Sequence, residues 1–251
     1  MKFVNPPEKS PHNVTHGTFY SQILRHDVGY NIYLPPGYAE GGAKYPVACH
    51  LHGWQGDESS DIWHLEEVYR RREAITVFPN ANTGYDDFPG HLAAMGAVLT
   101  GELIPYIEAR YQADASPARG SVSGFSMGGG MAFYYAVRYP EVFGSVTAYA
   151  GTFHHYFHTG YSGVKAAPAM AVRLYEEMMR DERDLDENNI LCLVRQNAEK
   201  IRDKLNIQIH VGTADILLCD SEILHLYLNS LNIAHGFWTF AGAGHELDKI
   251  L

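Results

Sequence analysis

Short apolar runs alternate along this chain with longer segments whose apolar residues recur at helical spacing. Phe19–Leu24, Tyr30–Leu34, Pro46–Leu51 and Ala74–Phe78 have strand length and close on turn residues such as Pro35-Pro36-Gly37, His52-Gly53 and Pro79-Asn80. Continuous apolar runs bounded in this way fit strands buried on both faces of a parallel sheet. Between Ala93 and Tyr111 the period changes, with Val98, Leu99, Leu103 and Ile107 on one helical face. Further strands are predicted at Gly120–Ser123, Val142–Ala150, Ile207–Val211 and Gly236–Phe240. Helices are predicted at Met131–Arg138, Ala167–Arg180, Asn188–Leu205 and Ser221–Leu231, with a short terminal helix at Glu246–Leu251.

This alternation predicts an α/β fold, a mainly parallel central sheet with helices on both faces. The segment from Gly151 to about Leu205 follows the sixth predicted strand and is too long for one crossover helix. It reads as a helical insertion or cap, 151–205, above the carboxyl edge of the sheet. With no repeat and no linker, residues 1–251 are expected to form a single domain.

Composition narrows the partners. A 46% hydrophobic chain of 251 residues carries one substantial core, and 19% charged residues are ordinary for a globular domain. The formal net charge of -10 argues against nucleic acid and against an anionic membrane surface. Prolines and charges in the first 17 residues stand where a signal peptide needs an apolar stretch, and no run is expected to span a membrane. A cytoplasmic location is therefore expected. Cys49, Cys192 and Cys219 are too few for a disulfide framework and lack metal-ligand spacing, so neither metal nor cofactor is expected. The oligomeric state is left open, a homodimer included.

The candidate chemistry begins at Gly124-Phe125-Ser126-Met127-Gly128. A Gly-x-Ser-x-Gly pentapeptide between a strand and a helix suits a very sharp turn that presents a strained serine at its apex. A serine hydroxyl is a weak nucleophile at neutral pH and needs an adjacent base. Among 14 histidines, His245 stands out because it follows the last strand in the glycine-rich loop Ala241-Gly242-Ala243-Gly244. Asp215, just beyond the strand ending at Val211, suits the role of orienting that imidazole, with Asp220 as its rival and a helix cap as its simpler reading. The order Ser126, Asp215, His245 is the one expected of an α/β-hydrolase. Two backbone donors are needed for the developing oxyanion, and the Met127 and Trp54 amides are the candidates.

Tyr33-Leu34-Pro35-Pro36-Gly37-Tyr38, His50-Leu51-His52-Gly53-Trp54, Gly124-Phe125-Ser126-Met127-Gly128-Gly129 and Tyr139-Pro140-Glu141-Val142-Phe143-Gly144 together resemble the esterase D-like branch of the α/β-hydrolases. Carbohydrate esterase family one, with its feruloyl and acetylxylan esterases, lies in that branch. The resemblance runs from about Tyr30 to His245 and implies hydrolysis of small or oligosaccharide esters, with hydroxycinnamate or acetyl esters of plant polysaccharides foremost. S-formylglutathione hydrolases and acyltransferases share it, so a thioesterase or a transferase is the alternative. A silent binding module on the same fold is the alternative outside enzymes.

Candidate substrate contacts are Gln55 and Phe125, which adjoin catalytic positions, and Phe153, His154 and Tyr156 in the aromatic loop after Gly151. Packing of the insertion explains that loop equally well. His154 and His158 have metal-like spacing but no carboxylate partner, so no metal is assigned there. His50 and His52 read as a buried pair framing the oxyanion loop.

Overall fold

The computed structural model describes residues 2–39, 42–84, 88–116, 119–153 and 189–251. Among the described residues nine strands form one sheet: β1 (Val14–Ser21), β2 (His26–Tyr33), β3 (Tyr45–Leu51), β4 (Ile75–Pro79), β5 (Ala113–Asp114), β6 (Ser121–Phe125), β7 (Ser145–Tyr149), β8 (Asn206–Gly212) and β9 (Gly236–Phe240). Their order is β1-β2-β4-β3-β6-β7-β8-β9, with the two-residue β5 beside β3. From β4 to β9 all pairs are parallel, and β2 runs antiparallel to both β1 and β4. This is the mainly parallel α/β sheet that the apolar runs predicted.

The edge strand differs from expectation. β1 begins at Val14 rather than Phe19 and ends at Ser21, leaving Leu24 in the turn. Its exposed residues are Thr15, Thr18 and Tyr20, and pairing along the whole of β2 defines it rather than a continuous apolar run. A short helix, α1 (Glu66–Arg70), was not predicted; its one buried side chain is Tyr69, too little to create a period.

The segment Gly90–Arg110 corrects the expectation about membrane-length runs. With mean hydropathy 1.2 it is long and apolar enough to cross a bilayer by length and composition. It comprises α2 (Phe88–Val98), a π-helical turn at Leu99–Leu103, and α3 (Ile104–Arg110). Leu92, Met95, Val98, Leu103 and Ile107 are buried in the main core, which accounts for the apolarity.

Helix α4 (Met127–Arg138) starts directly after Ser126, earlier than the predicted Met131. Helix α5 (Ile190–Ile201) begins where the Asn189 side chain accepts the Leu191 N–H at 2.9 Å. Helix α6 (Leu218–Ser230) and a 3₁₀ turn at Leu247–Lys249 complete the described elements. The predicted helix Ala167–Arg180 and most of the 151–205 insertion lie outside the described residues.

Alternate strand residues enter two clusters, Val146 and Ala148 into the larger and Tyr149 into the smaller, so the clusters lie on opposite faces of the sheet. The smaller cluster joins Tyr33, Tyr69, Phe78 and Tyr149 to Leu247 and Ile250. It ties the chain beyond His245 to the sheet, and His210 Nδ1 donates to the Ile250 carbonyl at 2.8 Å. The histidine-bearing loop is thereby held at both ends.

Candidate active site

Three strand ends converge at the carboxyl edge of the sheet. Ser126 sits between β6 and α4 with φ 57° and ψ -117°, a sparsely populated conformation for a side-chain-bearing residue. Such strain costs about 1–3 kcal/mol and persists only where the surroundings enforce it. Here the Ser126 N–H donates to Tyr149 O at 2.9 Å, and Ser126 O accepts from Thr152 N at 3.0 Å and Gly130 N at 3.1 Å. A methyl group on Gly124 would lie 2.1 Å from Gly128 O, and one on Gly128 would lie 2.0 Å from Leu51 O. The tight bend and its seating on β3 therefore require those two glycines.

His245 Nε2 lies 2.9 Å from Ser126 Oγ, and His245 Nδ1 lies 2.9 Å from Asp215 Oδ2 and 3.1 Å from Oδ1. Because Asp215 is an acceptor, Nδ1 carries the proton and Nε2 is left to accept from the serine hydroxyl. Asp215 is 3% exposed and also accepts the Leu217 N–H at 2.8 Å, which fixes its carboxylate independently of the histidine. The two loops are tied together: Ala214 N donates to Ala243 O at 2.9 Å, and Gly242 N donates to Thr213 Oγ1 at 2.9 Å. Side chains 119 residues apart in sequence thus meet within hydrogen-bond distance. Asp220, the rival acid, falls inside the first turn of α6 rather than before it.

The candidate oxyanion donors lie on either side of this serine. Met127 opens α4, so its N–H is one that the helix leaves without an intrahelical acceptor. Gly53 backs onto the nucleophile, since a methyl group there would lie 3.4 Å from Ser126 Cβ. The Gly53 carbonyl accepts from His52 Nδ1 at 2.8 Å and Gly56 N at 3.0 Å. In a planar trans peptide the following N–H points opposite to the carbonyl, so these two bonds also set the direction of the Trp54 N–H. Ala81 N donates to His52 Nε2 at 2.9 Å, which requires the Nδ1-protonated neutral ring. Burial holds His52 below the ordinary histidine value, outweighing the raising effect of its bond to Gly53.

His50 pins the same loop from the strand. Its Nε2 is 3.1 Å from Asp61 Oδ2 and its Nδ1 is 3.0 Å from Ser123 Oγ. Burial pushes the Asp61 carboxyl up, but the bond to His50 and nearby histidine charges bring it below the ordinary range. Sequence reasoning passed over Asp61, because a carboxylate in Asp57-Glu58-Ser59-Ser60-Asp61 reads as a solvated loop residue.

The candidate substrate contacts divide. Gln55 is exposed and takes φ 63° in the turn after Trp54, whose own side chain is 80% exposed. Phe125 stacks on the His245 ring at 4.7 Å between centroids, which makes it a support for the imidazole. Phe153 requires correction: it is 1% exposed and packs edge-on against Phe133 in the core, so its ring is unavailable to a ligand. His154, Tyr156 and His158 lie outside the described residues. Among the described residues no three His, Cys, Asp or Glu side chains are grouped to hold a metal.

Comparison with known proteins gives three kinds of match. An esterase family model matches residues 21–226. An esterase of Mycobacterium tuberculosis is 27% identical over 167 residues, covering 60% of this chain and 35% of its own length. This chain thus spans about a third of the length of the curated relatives it matches. A ferulic acid esterase structure superposes with TM-score 0.70 at 22% identity, covering 94% of this chain and 92% of that one. The S-formylglutathione hydrolase of Staphylococcus aureus gives 0.71 at 15% identity, covering 93% and 92% respectively. The ferulic acid esterase of Anaeromyces mucronatus gives 0.68 at 21%, covering 99% and 90%. At these identities the structural matches establish a shared fold.

Proposed function

The chain belongs to the esterase family, in the esterase D-like branch of the α/β-hydrolases, and from that premise we propose that it is a carboxylic-ester hydrolase working through acyl-Ser126. The observation that carries the reading is the unbroken chain Ser126 Oγ, His245 Nε2, His245 Nδ1, Asp215, with both links at 2.9 Å. Ser126 Oγ attacks the ester carbonyl while its proton passes to His245 Nε2. Asp215 stabilises the imidazolium that forms, and the Met127 and Trp54 amides receive the oxyanion. His245 then protonates the departing alcohol oxygen. Water, deprotonated by the same nitrogen, releases the acid and restores the serine.

Hydroxycinnamoyl and acetyl esters of plant polysaccharides, and similar small esters, are the proposed substrate class. The exposed Trp54 side chain, one residue after the Gly53 that backs onto Ser126, and the fold shared with ferulic acid esterases support it. An organophosphonate should label Ser126 stoichiometrically, and methyl ferulate, p-nitrophenyl acetate and acetylated xylan should be turned over. S-formylglutathione in the same assay separates a thioesterase, and added alcohol acceptors separate a transferase. Esterase activity that survives Ser126→Ala would refute the mechanism.

A further inference from the structure

Glu58 is 1% exposed, belongs to the loop that carries Gly53 and Trp54, and takes no part in the chemistry above. Its carboxylate receives donors from three separate segments. The Asn5 backbone N–H and His16 Nε2, the latter at 3.1 Å, meet Oε1. Asn80 Nδ2 at 2.7 Å and Asn5 Nδ2 at 3.4 Å meet Oε2. Strand β2 makes room for it, since a methyl group on Gly29 would lie 2.0 Å from Oε1. Burial pushes the carboxyl up, and the bonds from Asn5, His16 and Asn80 more than reverse this, leaving it below the ordinary range. A buried carboxylate so completely bonded is a fixed anion.

From that anion a series of hydrogen bonds runs to the oxyanion loop, with Asn82 donating to both of its neighbours. An ionised carboxylate only accepts, so Asn80 must turn its amide nitrogen toward Glu58 and its oxygen away. Asn80 Oδ1 accepts from Asn82 N at 3.1 Å and from Asn82 Nδ2 at 3.0 Å. The other Asn82 Nδ2 hydrogen goes to Gly56 O at 3.0 Å. Gly56 N in turn donates to Gly53 O, the carbonyl that sets the direction of the Trp54 N–H. Asn80 is held in this orientation from both sides, by the Glu58 carboxylate at its nitrogen and by the Asn82 backbone N–H at its oxygen, so a displacement at Glu58 is passed on to Asn82 and Gly56.

Building on the esterase reading, we propose that Glu58 is the positioning residue of the oxyanion loop, acting on the Trp54 amide through Asn80, Asn82 and Gly56. It touches no substrate. In Glu58→Gln the new amide nitrogen must face either the Asn5 N–H and His16 or the Asn80 amide nitrogen, a donor against a donor, so the anchored end of the series is displaced while shape is kept. An oxyanion donor is worth about 10²–10³ in rate, so partial misdirection should lower kcat at least about tenfold. KM should stay within about twofold, because the donor acts on the transition state more than on bound ester.

The test measures kcat and KM of the full chain with p-nitrophenyl acetate and methyl ferulate, together with the rate of organophosphonate labelling of Ser126. The phosphonate adduct places an oxygen where the oxyanion forms, so labelling reads the same amide independently of ester choice. The expected result for folded Glu58→Gln is an equal loss in kcat for both esters and in labelling rate, with KM kept. Should that variant fail to fold, Asn82→Ala interrupts the chain at a half-buried side chain and should show the same pattern. Wild-type kcat and labelling in the folded variant, or a loss confined to KM, would overturn the proposal. Wild-type labelling at Ser126 decides the underlying esterase reading separately.

Discussion

Replacing Gly128 by alanine isolates the contact that seats the nucleophile against the oxyanion strand. The position is helical with an ordinary φ, so alanine by itself should favour the helix by about 1 kcal/mol. Its methyl carbon, however, would stand 2.0 Å from Leu51 O, 2.5 Å from Leu51 C and 2.5 Å from His52 O, all backbone atoms. No side chain can rotate away. Restoring ordinary contact at 3.4 Å demands roughly 1.4 Å of separation between the start of α4 and the end of β3. Overpacking of this kind costs about 1–3 kcal/mol, and set against the helix gain it leaves a net loss of about 1 kcal/mol, to be read in urea unfolding. The same displacement moves Gly53 and Trp54 away from Ser126, and a misplacement near 1 Å is worth about 100-fold in rate. Gly101→Ala is the matched control, because its methyl group meets nothing within 4 Å. Gly128→Ala with wild-type urea midpoint and kcat would refute the reasoning.

Asp215→Asn keeps the shape of the orienting group but reverses its hydrogen-bond polarity, and kcat should fall by about 10⁴-fold; a loss under tenfold would show that another group orients His245. Burial holds His52, His91, His210 and His225 below the ordinary histidine value. Below about pH 6.5 the unfolded chain therefore binds protons that the folded chain does not, so stability should decline as pH falls from 7.5 to 5.5 (roughly that window) in urea titrations, and a flat profile would contradict it. Glu58 and Asp61, lowered as well, add a loss as pH falls further through the carboxylate range. Burial pushes Cys49 up to about 12 and Cys219 up to about 11, so iodoacetamide at neutral pH should leave both unmodified by mass spectrometry and activity intact.

The sequence by itself determined the alternation of strands and helices, the pentapeptide around Ser126, and the order of Ser126, Asp215 and His245. These are local signals: buried parallel strands are continuously apolar, a sharp strand-to-helix bend needs glycines, and loop residues at strand ends are countable along the chain. The sequence favoured Asp215 over Asp220 five positions on, and the tertiary structure set it against His245, because a strand end carries the one and a helix turn the other. The tertiary structure alone put Phe153 in the core and Phe125 on the imidazole, and gathered Asn5, His16 and Asn80 around Glu58. Those partners come from different segments, so nothing in the spacing of residues announces them. The loop reads as polar because its partners, too, are polar, and burial of a charge becomes legible only when every donor that compensates it is in place.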